Sequence, residues 1–222
     1  MPAKPKGRIA PRIDEELLTE NFSEQLASGS VHDVLVAGIA LPPLLSARGQ
    51  SASIDACIWR LVTLSEPNAQ RLRLRDTRIE NSDLANINLT GSSLERVEIL
   101  STRLTGATCS EMQAKSLLFQ ECKLDFALFR MARLEQCVFE RCNLDEADFY
   151  GADLTGVIFS GCDLSRSDIS HAQLTGADLR DCVLDGMRGA PDAMDGLIIS
   201  PDRKSTRLNS SHSDLSRMPS SA

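Results

Sequence analysis

Seven cysteines are the residues of this chain best suited to chemistry, and four of them, Cys122, Cys142, Cys162 and Cys182, recur at intervals of 20. Thiols at a fixed interval raise two chemistries, metal ligation and redox exchange. A structural zinc needs thiolates converging at about 2.3 Å from one ion. A disulfide needs β-carbons within about 3.5–4.5 Å of each other. Carboxylates form a second set: Asp148, Asp153, Asp163, Asp168 and Asp178. Paired carboxylates do general acid–base work when a cleft holds them. Histidines are sparse, His32, His171 and His212, and the glycines follow no phosphate-binding motif. Which of these chemistries is open depends on the element that positions the side chains.

The stretch CNLDEADFYGADL, Cys142 to Leu154, gives the period of that element. Leu144, Phe149 and Leu154 recur every five residues, whereas a helix repeats at about 3.6 and a strand at about 2. Stepping by five from Leu144 in both directions gives 23 positions from Leu74 to Leu184, of which 21 are Leu, Ile or Phe. The two exceptions are Cys109 and Ala114. Two places before each centre sits a mostly small residue, such as Ala127, Cys137, Ala147 or Cys162. Two places after it glycine is favoured, as at Gly91, Gly106, Gly151 and Gly176. Folding the sequence at 20 aligns Leu84, Leu104, Leu124, Leu144, Leu164 and Leu184 in one column. Phe119, Phe139 and Phe159 fall in another, and Phe129 and Phe149 in a third. A repeat this regular fixes the fold more securely than local propensity does.

Units such as ADFYG, ADLTG and ADLRD resemble the pentapeptide repeat family, clearly from Leu72 to Met187 and in weaker register back through Trp59 to Ile54. The resemblance implies an all-β solenoid, a right-handed four-sided β-helix with one pentapeptide per side. The centre and the minus-two residue point inward and the other three face solvent. Leu then faces Leu and Phe faces Phe across the bore. Ile54 to Leu184 holds 27 centres, or 6.75 coils, and stacks to about 32 Å at strand spacing. Around 107–118, Met112 and Leu117 are large at minus-two positions where Cys109 and Ala114 are small centres. Volume has moved from one inward site to the other, which predicts a regular coil rather than a bulge.

The expected organisation is an N-terminal segment at 1–51, a β-helix at 52–188 and a remainder at 189–201. In the first, Ile13–Gly29 has strong helix formers and a glycine stop, predicting a short helical cap. VHDVLVAGIAL, from Val31 to Leu41, reads as a strand or a degenerate first coil. Capping of that end is expected because an open β-helix end leaves backbone unpaired. Residues 202–222 stand apart: DRKSTRLNSSH and then SRMPSSA read codon for codon, and in order, like a translated sequencing adapter. That tail is expected to be non-native, with the native C-terminus lost and His212 outside any site.

On this architecture the chemistry narrows. Stacked coils project the column of cysteines side by side, so core packing is the expected role, with no metal, no cofactor and no disulfide. His171 and the five aspartates fall on the outside, the carboxylates expected as a solvated face with corner hydrogen bonds. A convex rod offers no cleft, so no catalytic residue and no enzymatic activity are expected. Leu118, Val138 and Ile158 point outward in three successive coils and mark a candidate interface. Contiguous exposed aliphatics call for a cover: the protein's own N-terminal helix, a partner, or a second copy in a homodimer.

Charge bounds the partners. The chain has 24 Lys and Arg against 31 Asp and Glu, a net of −7, and only 4% aromatics. Direct nucleic-acid binding is not expected from that balance. The longest apolar stretch, Val34–Leu45, is too short to span a bilayer and carries two prolines. The N-terminus has no signal-peptide core, so a cytoplasmic protein with reduced thiols is expected. The functional expectation is a non-enzymatic rod presenting a rigid acidic surface to a protein partner. The resemblance also implies an alternative, a DNA mimic that binds DNA gyrase or topoisomerase IV and modulates inhibitor sensitivity, although Arg130, Arg133 and Arg141 interrupt the acidic pattern.

Overall fold

The computed structural model describes residues 7–13, 22–41, 52–64, 67–189 and 196–199. A pentapeptide side is too short to pair with itself, and a buried peptide group must find a partner. Here each side pairs in parallel with the equivalent side of the next coil. Asp83, Arg103, Lys123, Asn143 and Asp163 form one such column, and Asn88, Thr108, Leu128, Asp148 and Asp168 the next. The result is a four-sided parallel β-helix. Side one carries the centres Leu84 to Leu184, and sides two, three and four follow in chain order.

The rod opens with β1 (Ser30–His32), β2 (Leu35–Ala37) and β3 (Ala40–Leu41). They lie on β4 (Ser53–Asp55), β5 (Ile58–Arg60) and β6 (Thr63–Leu64). The register sets Val31 on Ile54, Val36 on Trp59 and Leu41 on Leu64, a step of 23 rather than 20. VHDVLVAGIAL is therefore the first coil, and the solenoid begins at Ser30, inside the segment the sequence assigned to a separate N-terminal region. Three extra residues between Leu41 and Ser53 hide it from a strict repeat. At the other end Ile198 bridges Asp178, so the rod also continues past residue 188.

The longest strands, β7 (Arg73–Glu80) and β8 (Ser93–Leu100), run through a corner and pair along their length. Beyond them come β9 (Gln113–Lys115), β10 (Leu118–Gln120), β11 (Arg133–Glu135), β12 (Val138–Glu140) and β13 (Ile158–Ser160). The coil at 107–118 is regular. Gln113 sits between Ser93 and Arg133 in unbroken register, and Cys109, Met112, Ala114 and Leu117 are all buried.

The core is the bore of the rod. Ile54, Cys57, Trp59 and Val62 are buried, as is every centre and minus-two residue from Ala69 to Met187; between them Leu64 is half-buried and Pro67 exposed. Phe119, Phe139 and Phe159 stack along side four at 5.0 and 4.8 Å between ring centroids. Phe129 and Phe149 stack along side two at 5.0 Å. The two stacks meet edge to face across the bore, Phe139 lying 5.8 Å from Phe129 and 6.3 Å from Phe149. Both geometries suit the ring quadrupole.

Corners need left-handed backbone. Glycine supplies it without strain at positions such as Gly151 (φ 66). Elsewhere L-residues carry it, among them Phe126 (φ 59) and Met131 (φ 55).

Within the predicted 13–29 the described residues hold helix α1 (Phe22–Ser28), which ends where the Gly29 N–H bonds the Leu26 carbonyl. It packs on β1 and buries Phe22 in the core; the part of that prediction at 14–21 lies outside the described residues, as do residues 202–222. Residues 7–13 form an extended strap that sequence periodicity did not suggest. It crosses successive coils: Gly7 lies against the Gln136 side chain, Arg8 pairs with Glu98, and the Arg12 N–H bonds Asp76.

Candidate functional site

The cysteine column is built as expected, and its thiols are more engaged than side-by-side projection suggests. Each donates to a backbone carbonyl: Cys122 Sγ to the Ile99 oxygen at 3.2 Å, Cys162 Sγ to the Phe139 oxygen at 3.3 Å. Ser82 and Thr102 continue the pattern with hydroxyls that bond the carbonyls of Glu80 and Leu100. All seven cysteines are buried thiols outside any disulfide. The Cys122 and Cys162 thiols on either side, with burial, push the Cys142 thiol far up. Burial alone takes Cys109 up to about 12. Such thiols are protonated at neutral pH and poor nucleophiles. Among the described residues no three His, Cys, Asp or Glu side chains are arranged to hold a metal ion.

The five aspartates share one local job. Each occupies the position before a centre and turns its carboxylate onto the N–H two residues ahead. Asp148 accepts from Tyr150, Asp153 from Thr155, Asp163 from Ser165, Asp168 from Ser170 and Asp178 from Arg180, at 2.9–3.1 Å. These are Asx turns that satisfy corner N–H groups the ladder leaves over. The rod does not gather them on one face. Asp163 is on side one, Asp148 and Asp168 on side two, Asp153 on side three and Asp178 on side four. Nor are they simply solvated. Asp178 is buried under Arg180, which holds its carboxyl below the usual range, and Asp148 pairs with Arg130 at 2.6 Å.

Leu118, Val138 and Ile158 do stack in register along the outer surface of side four, on β10, β12 and β13. Leu118 and Ile158 are half-buried and Val138 is buried. The same column carries Glu98 one coil above Leu118, where Arg8 is bound. An extended strap therefore runs beside this column; α1, the expected cover, packs at the end of the rod instead. His171 is exposed at its corner, as the register predicts.

The apolar surface that sequence reasoning did not single out is on side two. Phe126 and Met131 stand at its two corners, 51% and 54% exposed. Leu128 lies between them and Tyr150 one coil below, both exposed. Arg130 sits over the Tyr150 ring at 5.9 Å, and His171 meets that ring edge-on at 5.1 Å. The signal was available in the register, since large apolar residues occupy positions that the repeat turns outward. The patch lies in the acidic half of the rod. Residues 104–187 hold 14 Asp and Glu against seven Lys and Arg, while 52–103 hold seven of each.

Side three carries two shallow polar grooves, one lined by Asp55, Arg73, Arg75 and Glu95, the other by Glu95, Lys115, Arg133 and Glu135. Ion pairs between successive coils, Arg75–Asp55 and Lys115–Glu135, occupy them. No helix of the described residues is long and apolar enough to cross a membrane.

Comparison with known proteins agrees with the geometry. The family model described as pentapeptide repeats matches eight copies, over residues 73–108, 122–161 and 147–186. No curated protein matches the chain. Among solved structures, a trypsin-treated variant of QnrB1, a plasmid-mediated fluoroquinolone resistance protein, is 18% identical, with a TM-score of 0.40 over 88% of this chain and 93% of that one. HetL, involved in heterocyst differentiation regulation in the cyanobacterium Nostoc sp. strain PCC 7120, is 18% identical, with a TM-score of 0.35 over 78% and 97%. A parallel register that repeats coil on coil, an inward leucine and phenylalanine lattice and eight matched repeats together place this chain in the pentapeptide repeat family.

Proposed function

We propose that the protein is a non-enzymatic binding scaffold whose side-two patch, Phe126, Leu128, Met131 and Tyr150, docks a protein partner against the acidic coils. One observation carries this reading: Phe126 and Met131 are exposed apolar residues in left-handed backbone. That conformation costs a non-glycine residue about 1–2 kcal/mol, and a large apolar side chain in water recovers nothing from the fold. Glycine or asparagine would serve the corner better, so the side chains are explained by something that covers them. Aromatic and methionine side chains with an arginine are the composition of interface centres. The acidic surroundings favour a partner with a basic rim.

The test compares wild-type protein with Phe126→Asn/Met131→Asn as bait, with retained proteins identified by mass spectrometry and the interaction rebuilt from purified components. A partner that binds wild type and is lost with the double variant, while the variant stays folded, supports the patch. Identical retention by both would sink it.

The DNA-mimic alternative gains nothing from the geometry. Its carboxylates are distributed over four sides, and several are paired with arginine. A gyrase supercoiling assay with micromolar protein is expected to show no effect.

A further inference from the structure

The corner between sides three and four differs from the others. Its column holds Asp76, Arg96, Ser116 and Gln136, one per coil. Asp76 and Ser116 are buried there, whereas Phe126 and Met131 at the corners of side two are open. What lies along this column is the strap. Gly7 sits at Gln136, Arg8 one column over at Glu98, and Arg12 at Asp76. Five residues of extended chain reach at most about 17 Å, enough for the three coil steps from Gln136 to Asp76 at about 4.8 Å each.

The strap is held lightly and its seat is made in advance. Among the described residues, the hydrogen bonds that join it to the rod end on carboxylates, Arg8 Nη2 to Glu98 Oε1 at 2.7 Å and the Arg12 N–H to Asp76 Oδ1 at 2.9 Å. The strap adds no strand to the sheet. Both carboxylates have a second, resident partner: Arg78 holds Glu98 at 3.1 Å, and Arg96 holds Asp76 at 2.6 Å. The seat therefore keeps its shape without the strap. It is also selective. A β-carbon at Gly7 would lie 2.7 Å from Gln136 Nε2, and Gly7 has φ 101, so the position favours glycine. The following residue must bring a guanidinium to Glu98, whose side chain is only 12% exposed. The Arg12 side chain is exposed, and its contact is through the backbone alone.

We propose that this corner is a binding track for an extended Gly-Arg segment of another protein, and that residues 7–13 are a built-in competitor that occupies it until displaced. The partner segment is unstructured before binding and places glycine at Gln136, arginine at Glu98 and a backbone N–H at Asp76. Its apolar residues run beside Leu118 and Val138. The inference shares with the proposed function the view of the rod as a scaffold. It uses a different side, so failure here leaves the Phe126 patch untouched, and the reverse also holds.

The probe is a fluorescein-labelled peptide, GRIAPRI, titrated by anisotropy against the full chain. A tethered strap competes at an effective concentration of order mM, so wild type should bind the peptide weakly. Arg8→Ala removes the competitor's guanidinium and leaves the seat intact, so binding should tighten by about tenfold. The gain should disappear in Arg8→Ala/Glu98→Gln, with the peptide GAIAPRI, and in high salt. Folded Arg8→Ala protein that binds GRIAPRI no better than GAIAPRI would overturn the proposal. So would a wild-type dimer that Arg8→Ala converts to monomer, because the strap would then serve a second copy of this chain.

Discussion

The thioether of Met131 fills the space that a side chain at Gly151 would take: a β-carbon there would lie 2.6 Å from Met131 Sδ. The coil below thus makes room for an exposed side chain in the coil above. Gly151→Ala should displace Met131 and strain the corner, lowering stability by about 1–2 kcal/mol in urea unfolding. Met131→Ala should change stability little, which separates the corner's demand from the side chain's.

Phe126→Asn should leave stability unchanged or raise it by about 1 kcal/mol, since asparagine tolerates left-handed backbone and the ring is exposed. Chemical denaturation of the single variant reads this directly. A loss of more than about 2 kcal/mol would mean the ring supports the fold, and the side-two patch would lose its basis.

Inward positions should behave oppositely. Leu144→Ala is expected to cost about 2–5 kcal/mol and Phe139→Ala about 3–5 kcal/mol. Phe139 touches Phe119, Phe129, Phe149 and Phe159 at once. Asp153→Asn keeps an acceptor for the Thr155 N–H and should change little. Near-neutral Leu144→Ala would break the inward assignment.

Acid should weaken the rod in a defined window. The Arg96 guanidinium holds the Asp76 carboxyl below its usual range, and Arg180 does the same for Asp178. A depressed folded value stabilises above the unfolded pKa of about 3.9, and that stability is lost as pH falls through the folded value. Asp76→Asn should therefore be less stable at neutral pH yet lose less on acidification, measured as Tm against pH. Parallel curves for variant and wild type would show that Asp76 has no part in the acid response.

Buried thiols should be silent. Burial pushes Cys109 and Cys137 up to about 12 and Cys57 to about 11. Native protein at mildly alkaline pH should react negligibly with a disulfide reagent and release seven equivalents once unfolded. Rapid reaction of any thiol in the native state would contradict the packing role.

The inside of the rod was legible because the inside is where size is constrained. The leucine column through Leu144, the facing phenylalanines and the shift of volume to Met112 and Leu117 could all be read from a period of five. The first coil was obscured by three residues: Val31 pairs with Ile54 at a step of 23, and a repeat search rewards equal steps. The strap could not be read at all, because one Arg8–Glu98 contact across 90 positions leaves no periodic trace. Outward residues carry no packing constraint. Phe126 and Met131 could be placed in register, but their left-handed backbone is shared by the other corners, and it is the exposure of large apolar side chains, as also at Leu61, that marks them. The aspartates were legible as corner residues, yet which side each occupies follows from position modulo 20, and counting them as one surface overlooked that.

Because each outward residue stacks on its counterpart one full coil away, as Asp83 does on Arg103 and Arg103 on Lys123, every outward residue has a compass bearing fixed by arithmetic. The strap's seat and the Phe126 patch lie on opposite sides of the rod. Duplication or loss of one whole coil between Glu98 and Phe126 would lengthen or shorten the distance between them and keep that bearing. Gain or loss of a single pentapeptide would swing everything downstream through a quarter turn and set phenylalanine columns on leucine columns, breaking the ring stacks of sides two and four. Whole-coil changes are therefore the ones that alter the spacing of the two surfaces while keeping both the core columns and an existing partnership.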